Sequence, residues 1–252
     1  MPFDQAEFKI RCEWGEQGIR QLAPISEVVV IVDVLSFSTC VEIATSRGAK
    51  VFPYRWKDES ALKYAQSIQA ELASFERRTD SPSLAPSSLL NLSPQSRLVL
   101  PSPNGASLSL LTGKTVTIAG CLRNCRAVAS WLSSCETVAV IPAGERWPDN
   151  SLRPALEDWI GAGAILNYLQ GSLSPEAEAA VASFQHYQGS GHRLHQCSSG
   201  KELIAKGFAQ DVELVAELNV SDCVPVLTNA AYYIKNKVPQ AIALTGIPER
   251  GI

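Results

Sequence analysis

Val28-Val29-Val30-Ile31-Val32-Asp33-Val34-Leu35-Ser36-Phe37-Ser38-Thr39 is the stretch on which the fold turns. Its five leading β-branched residues predict a strand buried on both faces, the habit of a parallel sheet covered by helices. Asp33 ends the apolar run, and the hydroxyls that follow suit the start of a helix through Val41, Ile43 and Ala44. Gly48 then stands where a helix C-cap is expected, before a second strand over 50–54. Strand, helix, strand in this order predicts an α/β fold, a mainly parallel sheet flanked by helices.

Outward from this segment the alternation continues. The pattern predicts a long amphipathic helix over 59–77, then a loop over 79–96 rich in serine and proline and pinned by Leu84, Leu89, Leu90 and Leu92. Strands follow at 98–100, 115–119 and 137–141, with helices at 106–111, 124–132 and 154–169, the last with Pro154 in its first turn. From residue 174 the chain reads as more helical, at 175–187, 201–206 and 210–218, before β-like segments at 224–228 and 241–244. Residues 1–171 are expected to form an α/β core carrying the site loops. Residues 172–252 are expected to pack on it as a helical and α/β portion, without a linker that decides between one domain and two.

Composition narrows the function. The chain has 252 residues, 46% of them apolar, with 22 Lys and Arg against 25 Asp and Glu, a net charge of −3. That balance lacks the basic footprint of a nucleic-acid binder. No apolar run approaches the roughly 18 residues of a membrane span, and no basic-then-apolar leader opens the chain. Seven scattered cysteines read as reduced thiols, so a cytoplasmic protein is expected, with a homo-oligomer left open.

Sites in parallel sheets form beyond the C-terminal ends of strands. Asp33, Ser36, Ser38 and Thr39 follow one predicted strand, Ser102-Pro103-Asn104-Gly105 another, 120–124 with Arg123 a third, and Gly144-Glu145-Arg146 a fourth. Helix N-termini in these loops offer free N–H groups to an anion. Asp33 reads equally as a metal ligand, base or nucleophile and as a helix cap. Glu157 and Asp158 are adjacent, so on a helix they point about 100° apart and read as a second acidic pair or as a solvated face. Ser199-Gly200-Lys201 reads as a capped helix start beside a cation.

Other motifs fail. Gly113-Lys114-Thr115 lacks the earlier P-loop glycine and leads into a strand, and Gly161-Ala162-Gly163 sits inside a helical pattern, where it signals close packing. His192, His195 and Cys197 lack a fourth zinc ligand.

The ordered set VVIVDVLSFSTCVEIATSRGA at 29–49, Pro103-Asn104-Gly105, 120–124, Gly144-Glu145-Arg146, Leu156-Glu157-Asp158, Gly161-Ala162-Gly163, 199–203, Gly207-Phe208 and Asp211-Val212 resembles the 2-phosphosulfolactate phosphatase family. The resemblance implies a Mg²⁺-dependent phosphatase that converts 2-phospho-3-sulfolactate to 3-sulfolactate and phosphate, a step in coenzyme M biosynthesis. It implies Asp33, Glu157 and Asp158 as catalytic and metal-binding residues. It implies Ser36, Ser38, Thr39, Asn104, Gly105, Arg123, Asn124, Ser199, Gly200 and Lys201 as the walls of a pocket for a small anionic phosphorylated substrate.

Two departures stand out. Ser36 occupies a position where the family usually has arginine, and Pro101-Ser102-Pro103 replaces a threonine-rich turn. Serine cannot replace a guanidinium's charge, so Arg55, Arg123 and Arg146 are the candidates to supply one. Alternatives to the family reaction are a phosphatase for a different phospho-hydroxy acid and a relative that binds an anionic metabolite without turnover.

Overall fold

The computed structural model describes residues 3–188 and 191–234. In chain order the elements are β1 (Ile10–Cys12), α1 (Gly15–Leu22), β2 (Val28–Val32), α2 (Phe37–Ser46), β3 (Lys50–Tyr54), α3 (Glu59–Ser67), β4 (Glu71–Leu72), β5 (Arg97–Pro101) and α4 (Gly105–Leu111). They continue with β6 (Val116–Gly120), α5 (Cys125–Leu132), β7 (Val138–Pro142), β8 (Glu145–Arg146), β9 (Leu152–Arg153), α6 (Leu156–Leu166) and α7 (Pro175–Tyr187). Then come α8 (Ser198–Ala205), α9 (Ala209–Val215), β10 (Pro225–Thr228) and β11 (Ala231–Ile234).

The main sheet runs β1-β7-β2-β6-β10-β11-β3-β5-β4. Its flanks are parallel: β1, β7, β2 and β6 on one side, β3, β5 and β4 on the other. The hairpin β10–β11 joins them, pairing antiparallel with β6 through β10 and with β3 through β11. The α/β class and the mainly parallel sheet are as expected. The C-terminal portion is helical through α7, α8 and α9, yet its β10 and β11 lie in the middle of the sheet rather than on its outside.

β2 shows why a continuous apolar run was needed. Val28, Val30 and Val32 pack with α5 and α6 residues such as Val128, Ile160 and Ile165. Val29 and Ile31 face the opposite side, against Ile19, Leu22 and Leu108. Both faces of this strand are dry, so period-two alternation of polarity is absent. Gly163 of α6 meets α7 so closely that a Cβ would strike the Ala180 carbonyl, which is the close packing expected of Gly161-Ala162-Gly163.

Three local expectations are corrected. The helix predicted over 59–77 stops at Ser67, because Gln69 adopts φ +52 and Glu71–Leu72 joins the sheet beside Leu98 and Val99. Pro154 lies before α6, whose N-cap is Ala155. Among the elements the sequence pattern does not predict are β1, α1 and β11: the first two lack a long apolar period, and β11 is only four residues long. The segment expected at 241–244 falls outside the described residues. Within them no helix is long and apolar enough to cross a membrane, and all seven cysteines are free thiols.

Candidate active site

The loops after β2, β5 and β7 converge on two aspartates. Asp33 Oδ1 accepts the N–H of Phe37, the first residue of α2, at 3.2 Å, and Oδ2 accepts that of Gly105, the first residue of α4, at 3.0 Å. One carboxylate thus caps two helices, which settles the capping reading without excluding chemistry, because Asp33 also lines a cavity of about 270 Å³. Asp158 sits behind it. Its Oδ1 accepts the Val34 N–H and its Oδ2 the Gly144 N–H, both at 2.8 Å. The solvated-face reading of Glu157 and Asp158 is overturned, since both are buried. They point apart as helix geometry requires: Glu157 Oε2 accepts from Cys197 Sγ at 3.4 Å, away from the partners of Asp158.

The cavity is lined by Asp33, Ser36, Ser102, Asn104, Glu145 and Ser199, with Lys57 and Arg77 among the remaining walls. Glu145 is half-buried and its Oε2 accepts from Asn104 Nδ2 at 2.9 Å. Ser199 Oγ accepts from Arg153 Nη2 at 3.0 Å. Arg153 is the register partner of Glu145 in the small β8–β9 ribbon.

Electrostatics mark the acidic side. Burial pushes the Asp33 carboxyl up to about 7, and the Glu145 charge adds to the rise against two backbone hydrogen bonds. Burial also raises Glu145. Asp158 is raised by burial, then by Asp33 and by Glu157. Carboxylates that raise one another in this way make a local negative field suited to a cation.

The fit of Mg²⁺ is a narrower matter. Among the described residues no group of three or more His, Cys, Asp or Glu is placed to hold a metal ion. Asp33 lines the cavity but Glu157 and Asp158 do not, so the expected set of Asp33, Glu157 and Asp158 is not arranged as a ligand cage. Mg²⁺ commonly takes only one or two carboxylates, with waters and substrate phosphate completing its shell. Asp33 and Glu145, hard oxygen donors on one cavity, fit that pattern.

Several expected pocket residues do other work. Ser38 Oγ accepts from the Asp33 N–H at 3.0 Å and donates to the Ile31 carbonyl, and Thr39 Oγ1 donates to the Val34 carbonyl, so both brace the loop. Arg123 is not among the cavity walls: Nε donates to buried Glu42 at 2.8 Å and Nη1 pairs with Glu217. Asn124 is buried, tying the Cys121 N–H to the Cys223 carbonyl. Gly200 lets α8 approach the Leu194 carbonyl, and Lys201 is exposed, off the cavity. The spacing of loops after strands marked these residues, but which way a side chain turns depends on partners far away in sequence.

The reading of the residues missed Arg77, Lys57, Glu202 and Lys206 on the cavity wall. Arg77 supplies the guanidinium at Ser36, donating to its Oγ at 2.7 Å, in place of Arg55, Arg123 or Arg146. No local signal marks it, because residue 77 falls at the end of the helix expected over 59–77. The side chain of His192 lies outside what is described, and among the described residues no group of three or more His, Cys, Asp or Glu is placed to hold a metal at Cys197.

With this geometry in hand, comparison with known proteins is direct. A family model described as 2-phosphosulpholactate phosphatase matches residues 17–230. A probable 2-phosphosulfolactate phosphatase of Thermotoga petrophila is 29% identical over 227 residues, 85% of this chain and 96% of that protein. A probable 2-phosphosulfolactate phosphatase of Carboxydothermus hydrogenoformans is 31% identical over 209 residues, 79% and 85% of the two chains. The 2-phosphosulfolactate phosphatase of Methanothermobacter thermautotrophicus is 29% identical over 205 residues, 80% and 87%. The chain therefore belongs to the 2-phosphosulpholactate phosphatase family, a family of phosphoric monoester hydrolases.

Proposed function

We propose that this chain is a Mg²⁺-dependent phosphatase that hydrolyses a small acidic phosphomonoester, with 2-phospho-3-sulfolactate as the substrate carried by its relatives' names. The observation that carries the reading is Asp33. It lines the cavity beside Glu145 while being held by the first N–H groups of α2 and α4.

Asp33 and Glu145 would hold the metal. Mg²⁺, when bound, neutralises phosphate oxygens and lowers the pKa of bound water. The protein's own residues supply the rest. Asn104 orients Glu145, the N–H groups of Phe37 and Gly105 orient Asp33, and Asp158 clamps the two loops that frame them. Glu157, buried beside Asp158, adds to the negative field and acts from behind the cavity.

Phosphate release from 2-phospho-3-sulfolactate and a panel of phospho-hydroxy acids, with Mg²⁺ and with EDTA, tests this. Wild type should release phosphate only with the metal, and Asp33→Asn should lose the activity. Turnover no greater than that of Asp33→Asn on every substrate would sink the phosphatase reading and leave an anion-binding relative.

A further inference from the structure

The same cavity also presents cations. Arg77, from the chain between β4 and β5, is the most firmly held of them. Nη1 donates to Asp211 Oδ2 at 2.8 Å, while Nη2 donates to Ser36 Oγ at 2.7 Å and to the Leu35 carbonyl at 3.0 Å. The guanidinium lies 5.5 Å from the centroid of Phe208. Asp211 is itself fixed, since its Oδ1 accepts the Ser87 N–H at 3.0 Å and its side chain is 1% exposed. Arginine carries five N–H donors, and three here are engaged by protein acceptors. The remaining two are Nε–H and one Nη1–H.

Lys57 lines the cavity with it, its ammonium donating to the Phe75 carbonyl at 3.0 Å. Burial, then the charge of Arg77, holds Lys57 below the ordinary lysine range. Asp211 pairs with Arg77 and Glu145 acts on Lys57 in the opposite sense, and a bound anion would further relieve the repulsion between the two cations. Lys206 stands on the same wall but already pairs with Glu202 at 2.5 Å. The cavity thus holds both carboxylates suited to a metal-bound phosphate and a guanidinium and ammonium suited to an anion that needs no metal.

We propose that Arg77, together with Lys57, binds a second acidic group of the substrate, a sulfonate or carboxylate on the carbon skeleton that bears the phosphate. Asp211 is the positioning residue that holds Arg77 for it. The assignment rests on the phosphatase reading above and names the residues that would select phosphomonoesters with another strong anion over plain alkyl or aryl phosphates. A guanidinium fixed before the ligand arrives gives up little entropy on binding.

The test compares 2-phospho-3-sulfolactate with p-nitrophenyl phosphate, which lacks the second acid. Removing a charge-assisted pair in Arg77→Met should lower kcat/KM for the sulfo-acid about 100-fold more than for p-nitrophenyl phosphate, chiefly through KM. Arg77→Lys should recover part of the loss, since it restores the charge without the guanidinium's set of donors. Asp211→Asn should show the same pattern more weakly. Lys57→Met should raise KM for the sulfo-acid about tenfold.

A second arm needs no turnover. Calorimetric titration with 3-sulfolactate should show binding to wild type and about tenfold weaker binding to Arg77→Met and Lys57→Met. Equal binding to all three, or equal losses on both phosphate esters, overturns the assignment while leaving the phosphatase reading intact. Normal 3-sulfolactate binding with no phosphate release from any ester overturns the phosphatase reading and leaves the anion subsite standing.

Discussion

Asp158 accepts a 2.8 Å hydrogen bond from the backbone N–H of Val34, 124 residues earlier in the chain. Its second oxygen takes the N–H of Gly144, so one side chain on α6 fastens the loops after β2 and β7 to each other. Asp158→Asn, which keeps one acceptor, should lower the unfolding free energy by about 1–3 kcal/mol, and Asp158→Ala by more. Urea denaturation measures both. An alanine variant within about 0.5 kcal/mol of wild type, the range of an ordinary surface change, would remove Asp158 from this role.

The raised carboxyls predict how stability depends on pH. Asp33, pushed up to about 7, together with Glu145 and Asp158, binds protons more tightly folded than unfolded. The folded state therefore holds more protons between the ordinary carboxylate range and about pH 7, and stability falls as pH rises through that window. Without metal, Tm should be higher at pH 5 than at pH 8. Each kcal/mol of the difference should appear as roughly 2–4 °C in a chain of this size. Asp33→Asn should flatten the slope, and a slope of the opposite sign in wild type would contradict the buried acidic field.

Mg²⁺ should reverse that trend. A cation binds the ionised carboxylates, so millimolar Mg²⁺ should raise Tm more at pH 8 than at pH 5. At 100 times its dissociation constant the stabilisation is about 2.7 kcal/mol. Glu145→Gln should reduce the shift. Differential scanning fluorimetry with and without the metal reads it directly, and the same small shift at both pH values would argue against Asp33 and Glu145 as ligands.

Gly105→Ala probes the double cap on Asp33. A Cβ there would lie 2.7 Å from the Cβ of Phe37, a contact that only a backbone shift relieves. Overpacking of this kind costs about 1–3 kcal/mol. The same shift moves the N–H that holds Asp33 Oδ2. The expected outcome is a fall in kcat larger than the thermal destabilisation alone explains at 25 °C. Unchanged kcat with lowered Tm would separate Gly105 from the chemistry.

Arg123→Met distinguishes fold from site. It strands buried Glu42, which Arg123 neutralises at 2.8 Å, and breaking such a pair typically costs about 3–5 kcal/mol. Because the guanidinium is engaged with Glu42 and Glu217 outside the cavity, KM at a temperature where the variant is folded should stay within about threefold of wild type. A rise in KM of the size expected for Arg77→Met would place Arg123 in the pocket after all.

Legibility followed the range of the forces involved. The strand at 28–32, the helix at 175–187 and the loops bearing Asp33, Asn104 and Glu145 were readable because burial on both faces and capping write themselves into adjacent residues. The helix expected to reach residue 77 was not, because Glu71 and Leu72 are drawn into an edge strand by partners at 98 and 99. That single error concealed Arg77. Likewise the pair Glu157-Asp158 was visible as acids, but nothing local said that both are buried.

By itself the sequence determined the α/β class, the family and the identity of the acids at the strand ends, since local pattern and ordered motifs carry those. The tertiary structure alone decided what each residue does. It sent Arg123 and Asn124 to hold the fold, made Asp158 a clamp, and brought Arg77 to Ser36 across 41 residues. Charge in a buried cavity depends on which groups face one another through a few ångströms of low-dielectric space, and those distances are set by packing between segments remote in the chain.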